Sequence, residues 1–305
     1  MKISAAICTY NRAKFLEKSL TSLIKQNFDK NDYEIIVIDN NSNDNTKEVV
    51  NKFMETYKDF NIRYVFEPVQ GLSIARNRAI KEAKSNILLF IDDDAIADEN
   101  LLKEHLRIYN EFENVSCVGG KILLDFVDGK PAWLDEKFYK FYSYFNISYK
   151  IIELKTSVYG ANFSINLIIV KEKNIKFDKS LGRNGNILNG GEEVLFCETL
   201  IKYGFKIYYN PYAVVYHIIS RDRTNYKYLI NIAKQGVSSY FYYLYKFQKR
   251  SKIYIIFLSL YNLAIYLLSF LKNLLLFKKN NIFYLYLYML RFFCLFKICL
   301  KGEIK

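Results

Sequence analysis

Three consecutive carboxylates, Asp92-Asp93-Asp94, directly follow the apolar run Ile87-Leu88-Leu89-Phe90-Ile91. Acids crowded at the exit of a strand repel one another and sit comfortably there only with water or a cation, and their hard oxygens suit Mg2+ or Mn2+. By themselves the three serve equally well as a solvated acidic turn capping a helix that starts near Asp98. Asp39 closes another apolar run, Ile38-Asp39-Asn40-Asn41-Ser42. A carboxylate there can hydrogen-bond a nucleotide's base or ribose, or simply make an Asx turn before the next helix. Thr9-Tyr10-Asn11-Arg12 brings hydroxyl, aromatic and guanidinium groups to the same edge. Glu192-Glu193 follow Gly190-Gly191 and open a helix, where acids meet the dipole favourably; in a cleft, one of them could take a proton from a hydroxyl nucleophile. Of the two histidines, His217 ends a strand with Arg221 and Arg223 close behind it, whereas His105 lies on a helix among charged neighbours and reads as structural.

These residues need a scaffold that gathers them. Ile3–Cys8, Tyr33–Asp39, Ile62–Phe66 and Asn86–Asp92 read as strands, alternating with amphipathic helices over Ala13–Asn27, Asp44–Tyr57 and Ser73–Lys84. Near-continuous apolar strands in this rhythm predict a parallel sheet covered on both faces, with ligands at the carboxyl ends of its strands. A helix near Asp98–Phe112 and a strand near Val115–Leu124 follow. The pattern then loosens over Asp125–Ser157 into an aromatic insertion with Trp133, read as lining a cleft. An apolar strand Phe163–Val170, a Gly/Asn-rich loop Gly182–Gly191 suited to closing over substrate, a helix Glu192–Tyr203 and a strand ending at His217 complete this part. Neither G-x-G-x-x-G after the first strand nor G-x-x-x-x-G-K-[ST] occurs, so a diphosphate would be neutralised by metal and arginines instead.

The formal net charge of the 305 residues is +13, and it is unevenly placed. Residues 1–220 hold 29 basic and 29 acidic side chains; residues 221–305 hold 15 basic ones and only Asp222 and Glu303 as acids. A balanced first part excludes a basic groove tracking nucleic acid, and 51% hydrophobic residues exclude a disordered chain. Five widely spaced cysteines without a C-x-x-C pair fit reduced thiols, and the early polar residues Thr9–Arg12 leave no room for a signal-peptide core, so the expected compartment is the cytoplasm. Ile253–Leu271 is uncharged and would be about 28 Å long as a helix. Lysine clusters flank it on both sides, and Ile282–Leu300 carries Arg291 and Lys297. This pattern favours helices lying on an anionic membrane surface over true spans, with a buried helical domain as the plainer alternative.

In order and spacing the chain resembles a family 2 glycosyltransferase of the GT-A fold. The matching segments are Cys8-Thr9-Tyr10-Asn11-Arg12, Val37-Ile38-Asp39-Asn40-Asn41-Ser42, Gly71-Leu72-Ser73-Ile74-Ala75-Arg76-Asn77, Asp92-Asp93-Asp94 as a D-x-D signature, Gly190-Gly191-Glu192-Glu193 and Val215-Tyr216-His217. They cover about residues 3–240. The resemblance implies an α/β catalytic domain over residues 1–225, with a mostly parallel Rossmann-like sheet; the basic, aromatic-rich residues 226–305 are read from their composition as a helical membrane-associating region. It implies inverting transfer of a sugar from a nucleotide diphosphate sugar, taken as a UDP-sugar, to an acceptor hydroxyl. Thr9, Tyr10, Arg12 and Asp39 would hold the nucleoside, and Arg76 would lie near ribose or diphosphate. Asp92 and Asp94 would bracket the nucleotide sugar and the Mn2+ or Mg2+ ion, with Asp94 as the direct ligand and Asp93 on the nucleotide-sugar side, and His217 would be a ligand of the metal or of the diphosphate. Glu193 stands where many members carry a catalytic aspartate, so it is the expected base, with Glu192 beside it as the other candidate. With the basic tail, this suggests a lipid-linked saccharide acceptor at the cytoplasmic face of the cell membrane. A sugar-phosphate nucleotidyltransferase and a non-enzymatic membrane-binding protein are the alternatives.

Overall fold

The structure is a computed structural model that describes residues 1–185, 190–276 and 278–301. The chain divides into two compact units: the first comprises Met1–Asp125, Ser143–Gly185 and Glu192–Ile218, the second Phe126–Tyr142, Asn186–Gly191 and Ile219–Lys305.

The first unit opens with β1 (Ile3–Thr9), α1 (Ala13–Ile24), β2 (Tyr33–Asp39), α2 (Thr46–Thr56), β3 (Ile62–Phe66), α3 (Leu72–Glu82) and β4 (Ile87–Asp92). β1 and β2 are buried almost throughout, as their unbroken apolar runs require between two helical layers. On α1, Leu16, Leu20 and Leu23 recur at helical spacing and are fully buried. β5 (Ala95–Ala97), α4 (Leu101–Glu111), β6 (Val115–Asp125), β7 (Ile152–Leu154), β8 (Asn162–Asn166), α5 (Leu167–Glu172), α6 (Glu192–Lys202) and β9 (Lys206–Ile218) complete the unit. The sheet runs β3-β2-β1-β4-β8-β6-β9-β5, with β7 also paired to β9.

Its strands are mostly parallel, but not uniformly so. β8 lies antiparallel between β4 and β6, and β5 and β7 run antiparallel to β9. The apolar segment Phe163–Val170, read from sequence as one strand, is half strand and half helix. The Asn166 side chain accepts a hydrogen bond from Ile168 N at 3.0 Å and so caps α5. The expected helix from Asp98 begins instead at Leu101. His105 is structural, as read: its ring bonds Ser164 Oγ at 2.9 Å and Asn162 Oδ1 at 2.8 Å, and burial lowers its pKa to about 4. Asn162 in turn donates to the carbonyls of Lys121 and Ala213, which ties β8 to its neighbours where β6 and β9 meet.

In the second unit, a 3-10 helix at Glu136–Tyr142 precedes α7 (Tyr226–Tyr242), a π-helical turn, α8 (Lys252–Leu275) and α9 (Lys279–Lys301). Trp133 stacks on Tyr226 at 4.3 Å. α8 and α9 contain the two predicted apolar stretches and form an antiparallel hairpin: Asn281 bonds Asn273 at the turn, Tyr266 stacks on Tyr288, and Ile255 packs near Leu295 and Cys299. Both are long and apolar enough to cross a membrane, with mean hydropathies of 2.0 and 1.7. Of the predicted loop Gly182–Gly191, residues 186–189 lie outside the described residues.

Candidate active site

All the site residues predicted from sequence fall in the first unit, at the carboxyl edge of β1, β2 and β4 and on the elements facing it. Asp93 and Asp94 form the turn between β4 and β5. Thr9 Oγ1 donates to Asp93 Oδ2 at 2.7 Å, and Arg12, at the start of α1, donates to both Asp93 and Asp94. His217 reaches the turn because β5 pairs with β9 and places Ala95 opposite it. His217 Nε2 then lies 3.1 Å from Asp94 Oδ1, with Ile218 N donating to Asp94 O at 2.7 Å. Asp94 and His217 are buried and Asp92 is half-buried. Burial raises the Asp93 carboxyl to about 7 against the opposing pull of Arg12 and Thr9, and the adjacent Asp94 charge adds to the rise.

Asp92, Asp94 and His217 each offer one ligand atom, all within 4.8 Å of one another. Two carboxylates and an imidazole on fixed strand ends are a donor set that fits a divalent cation such as Mn2+.

Asp39 lies at the end of β2, where its Oδ1 accepts from Ser42 N at 2.9 Å and its Oδ2 accepts from Tyr64 OH at 2.7 Å. The Asx turn expected of it therefore forms, and the same carboxylate lines an open cleft of about 410 Å3 with Tyr64, Phe66 and Lys47. Tyr64 was not singled out in the sequence; the alternation of β3 could have suggested it. Tyr10 follows β1 and is half-buried.

The second cluster gathers around Arg76. Its Nη1 lies 2.9 Å from Oε1 of both Glu192 and Glu193, its Nη2 reaches Gly160 O at 3.4 Å, and the guanidinium lies over the rings of Phe90, Phe163 and Phe177. Arg76 and Glu192 are buried, whereas 15% of the Glu193 side chain is exposed. The buried Arg76 guanidinium thus bridges the two carboxylates. Burial, then the charge of Glu193, push the Glu192 carboxyl up to about 8, with Arg76 opposing. Among the described residues, Glu192 Oε2 is buried without a hydrogen-bond partner. A Cβ at position 160 would meet Glu193 Oε1 at 2.0 Å and Arg76 Nη2 at 2.3 Å, so glycine is what lets the backbone approach this pair. Nothing in the sequence marks Gly160, because its reason lies across the fold. Arg221, Arg223 and Trp133 belong to the second unit, where Arg223 Nε donates to Tyr228 OH at 3.0 Å.

A sequence model described as Glycosyl transferase family 2 matches residues 4–170. A glucosyl-dolichyl phosphate glucuronosyltransferase of Haloferax volcanii is 23% identical over 236 residues, 75% of this chain and 73% of its own. Among solved structures, the mannosyltransferase PcManGT from Pyrobaculum calidifontis, in complex with GDP-Man and Mn2+, superposes with a TM-score of 0.60 at 18% identity, over 80% of this chain and 64% of that one. S. aureus TarS 1-349 in complex with UDP gives 0.55 at 19% identity, over 99% and 92%. These likenesses establish the GT-A fold. The chain spans less than half the length of several curated relatives that it matches.

Proposed function

The chain belongs to glycosyl transferase family 2, and on that premise we propose that it moves a sugar, with inversion, from a UDP-sugar to a hydroxyl of a lipid-linked saccharide. The observation that carries this reading is the convergence of Asp92, Asp94 and His217 at the exit of β4, beside Arg12 and Thr9. The UDP in the TarS complex and the dolichyl phosphate in the name of the Haloferax relative support the choice of donor and acceptor.

In this reading Asp39 and Tyr64 hold the nucleoside in the cleft that they line together, and Thr9 and Tyr10 act from the end of β1 beside Asp39. Asp94 and His217 hold Mn2+ or Mg2+, and Asp92 and Asp93 face the nucleotide sugar. The cation, when bound, stabilises negative charge on the departing diphosphate. Arg12 restrains the acidic turn and adds positive charge at the same edge. Glu193, the partly open acid of the pair, accepts the proton of the acceptor hydroxyl, whose oxygen attacks the anomeric carbon from the face opposite the diphosphate. Glu192 stays protonated and shares Arg76 with Glu193. In this reading Arg76 acts as a positioning residue for the base, beside the place near ribose or diphosphate that the resemblance implies for it. Catalysis falls to residues 1–225, and residues 226–305 hold the enzyme at the cytoplasmic face of the membrane.

A panel of nucleotide sugars with Mn2+ or Mg2+, scored for nucleotide diphosphate release with and without a polyprenyl-linked saccharide, tests the proposal. Acceptor-dependent release of UDP supports it. Release of inorganic diphosphate from a nucleoside triphosphate and a sugar phosphate would identify a nucleotidyltransferase instead.

A further inference from the structure

α8 is amphipathic in the sense opposite to that of a helix folded against water. Its outward stripe is apolar from end to end: Ile253, Phe257, Leu260, Tyr261, Leu268 and Leu275 are exposed, Phe257 to 67% and Leu268 to 70%. Its uncharged polar side chains lie on the opposite, more covered side instead. Ser259 is buried, and Asn262 and Asn273 are half-buried, bonding Leu258 O and Ser269 O along their own helix. The hydrophobic effect puts apolar groups outward only where the surrounding medium is itself apolar.

The neighbours of the hairpin decide how it can meet such a medium. At one end of α9, Asn280 donates to Asp135 Oδ2 at 3.0 Å, and Phe283 packs edge-on against Trp133 and Tyr226. Towards the other end, Leu295 and Cys299 share a cluster with Val237 and Phe241 of α7. α7 therefore runs alongside α9 for most of its length, and it exposes Lys227, Asn231 and Lys234 along the way. Standing the hairpin upright in a bilayer would carry these polar groups into the hydrocarbon or break both sets of contacts. Lying flat leaves these polar groups in water and both sets of contacts intact. Lys246, Lys249, Arg250 and Lys252 then flank one end of α8, and Lys272, Lys278 and Lys279 the other, all able to reach lipid phosphates.

We propose that the outer stripe of α8 is a one-sided membrane-docking surface, on which the α8–α9 hairpin lies in the plane of an anionic leaflet, pinned at both ends to α7 and to the Trp133 segment. This rests on the reading above that the enzyme works at a membrane, and it fixes which face is embedded. The apolar stripe would sink about 5–10 Å, to the boundary of headgroups and acyl chains.

The test uses the full chain and vesicles of phosphatidylcholine, with and without phosphatidylglycerol. Trp133 is the only tryptophan. In a Trp133→Phe background, Phe257→Trp and Leu268→Trp serve as depth probes against lipids brominated near the headgroup or deep in the chain. Equal, shallow quenching at both sites is expected, with stronger binding to the anionic vesicles. An upright helix would separate the two probes by roughly 16 Å in depth, and such a difference would overturn the proposal while leaving sugar transfer intact. In the otherwise unaltered protein, Phe257→Glu with Leu268→Glu should weaken vesicle binding by at least about tenfold. Unchanged vesicle binding overturns the proposal, and loss of a dimer in its place overturns it and assigns the stripe to a second copy of the chain. Equal shallow quenching without release of nucleotide diphosphate from any donor supports the docking surface and removes the enzymatic reading alone.

Discussion

Glutamine in place of Glu192 separates the two acids that share Arg76. Glu192 is buried, and its carboxyl is pushed from an ordinary 4.5 up to about 8, first by burial and then by Glu193. Between those values the folded protein keeps a proton that the unfolded chain has released. Stability contributed at this site is therefore greatest below about pH 4.5, falls as pH rises through the window, and reaches its floor above about pH 8. Each pH unit inside the window costs ~1.4 kcal/mol, so the whole penalty is on the order of a few kcal/mol. Glutamine keeps the Oε1 acceptor for Arg76 Nη1 and cannot ionise, so it escapes the penalty. The variant should match wild type near pH 5 and melt roughly 5–10 °C higher near pH 9, at about 1.5–2 °C per kcal/mol for a chain of this size. Scanning fluorimetry across pH reads this difference. UDP release should stay within about tenfold of wild type for Glu192→Gln and fall by roughly 100- to 10,000-fold for Glu193→Gln. Parallel melting curves for Glu192→Gln and wild type from pH 5 to 9, or equal loss of turnover in the two variants, would refute the assignment.

Asp94→Ala and His217→Ala should each weaken Mn2+ binding by about tenfold or more, read as the spectral signal of free Mn2+ in a titration, with turnover falling in parallel. Unaltered Mn2+ affinity in both would remove the proposed ligands. Gly160→Ala would force Glu193 and Arg76 aside, so kcat should drop by about 100-fold with far less change in KM, and a wild-type rate constant would contradict the close approach. His105→Ala leaves Asn162 Oδ1 and Ser164 Oγ without their ring partner, and chemical denaturation should show a loss of about 2–4 kcal/mol. Because burial lowers the His105 pKa from 6.5 to about 4, that ring contributes stability above pH 6.5 that is lost as pH falls towards 4, and the variant should lack this component.

The strands β1, β2 and β4 could be read from the sequence because burial on both faces leaves an unbroken apolar run whose end is marked by an acid. The same rule misleads at Phe163–Val170, where periodicity cannot separate a buried strand from a buried helical turn and the cap at Asn166 decides. The reversed direction of β8 leaves no local trace, since alternation is the same in either direction. At the site, the acidic turn could be recognised from its own residues. The three-way contact of Arg76, Glu192 and Glu193 could not, because 116 residues separate Arg76 from Glu192 and no spacing rule spans that distance. Gly160 escaped for the same reason.

The pairing of Ala95 with His217 also fixes when the site can exist. Asp94 and its imidazole partner are 123 residues apart, and among the described strands the short β5 meets only β9 in the sheet. During synthesis the first four strands can close their ladders early, since β1, β2, β3 and β4 pair among themselves. The cation site waits until β9 has emerged and inserted beside β6, a late, non-local event of the kind that slows folding. A chain arrested before Lys206 would hold the cleft lined by Asp39 and Tyr64 without the imidazole that completes the proposed cation site, so a prematurely released chain should bind no cation there.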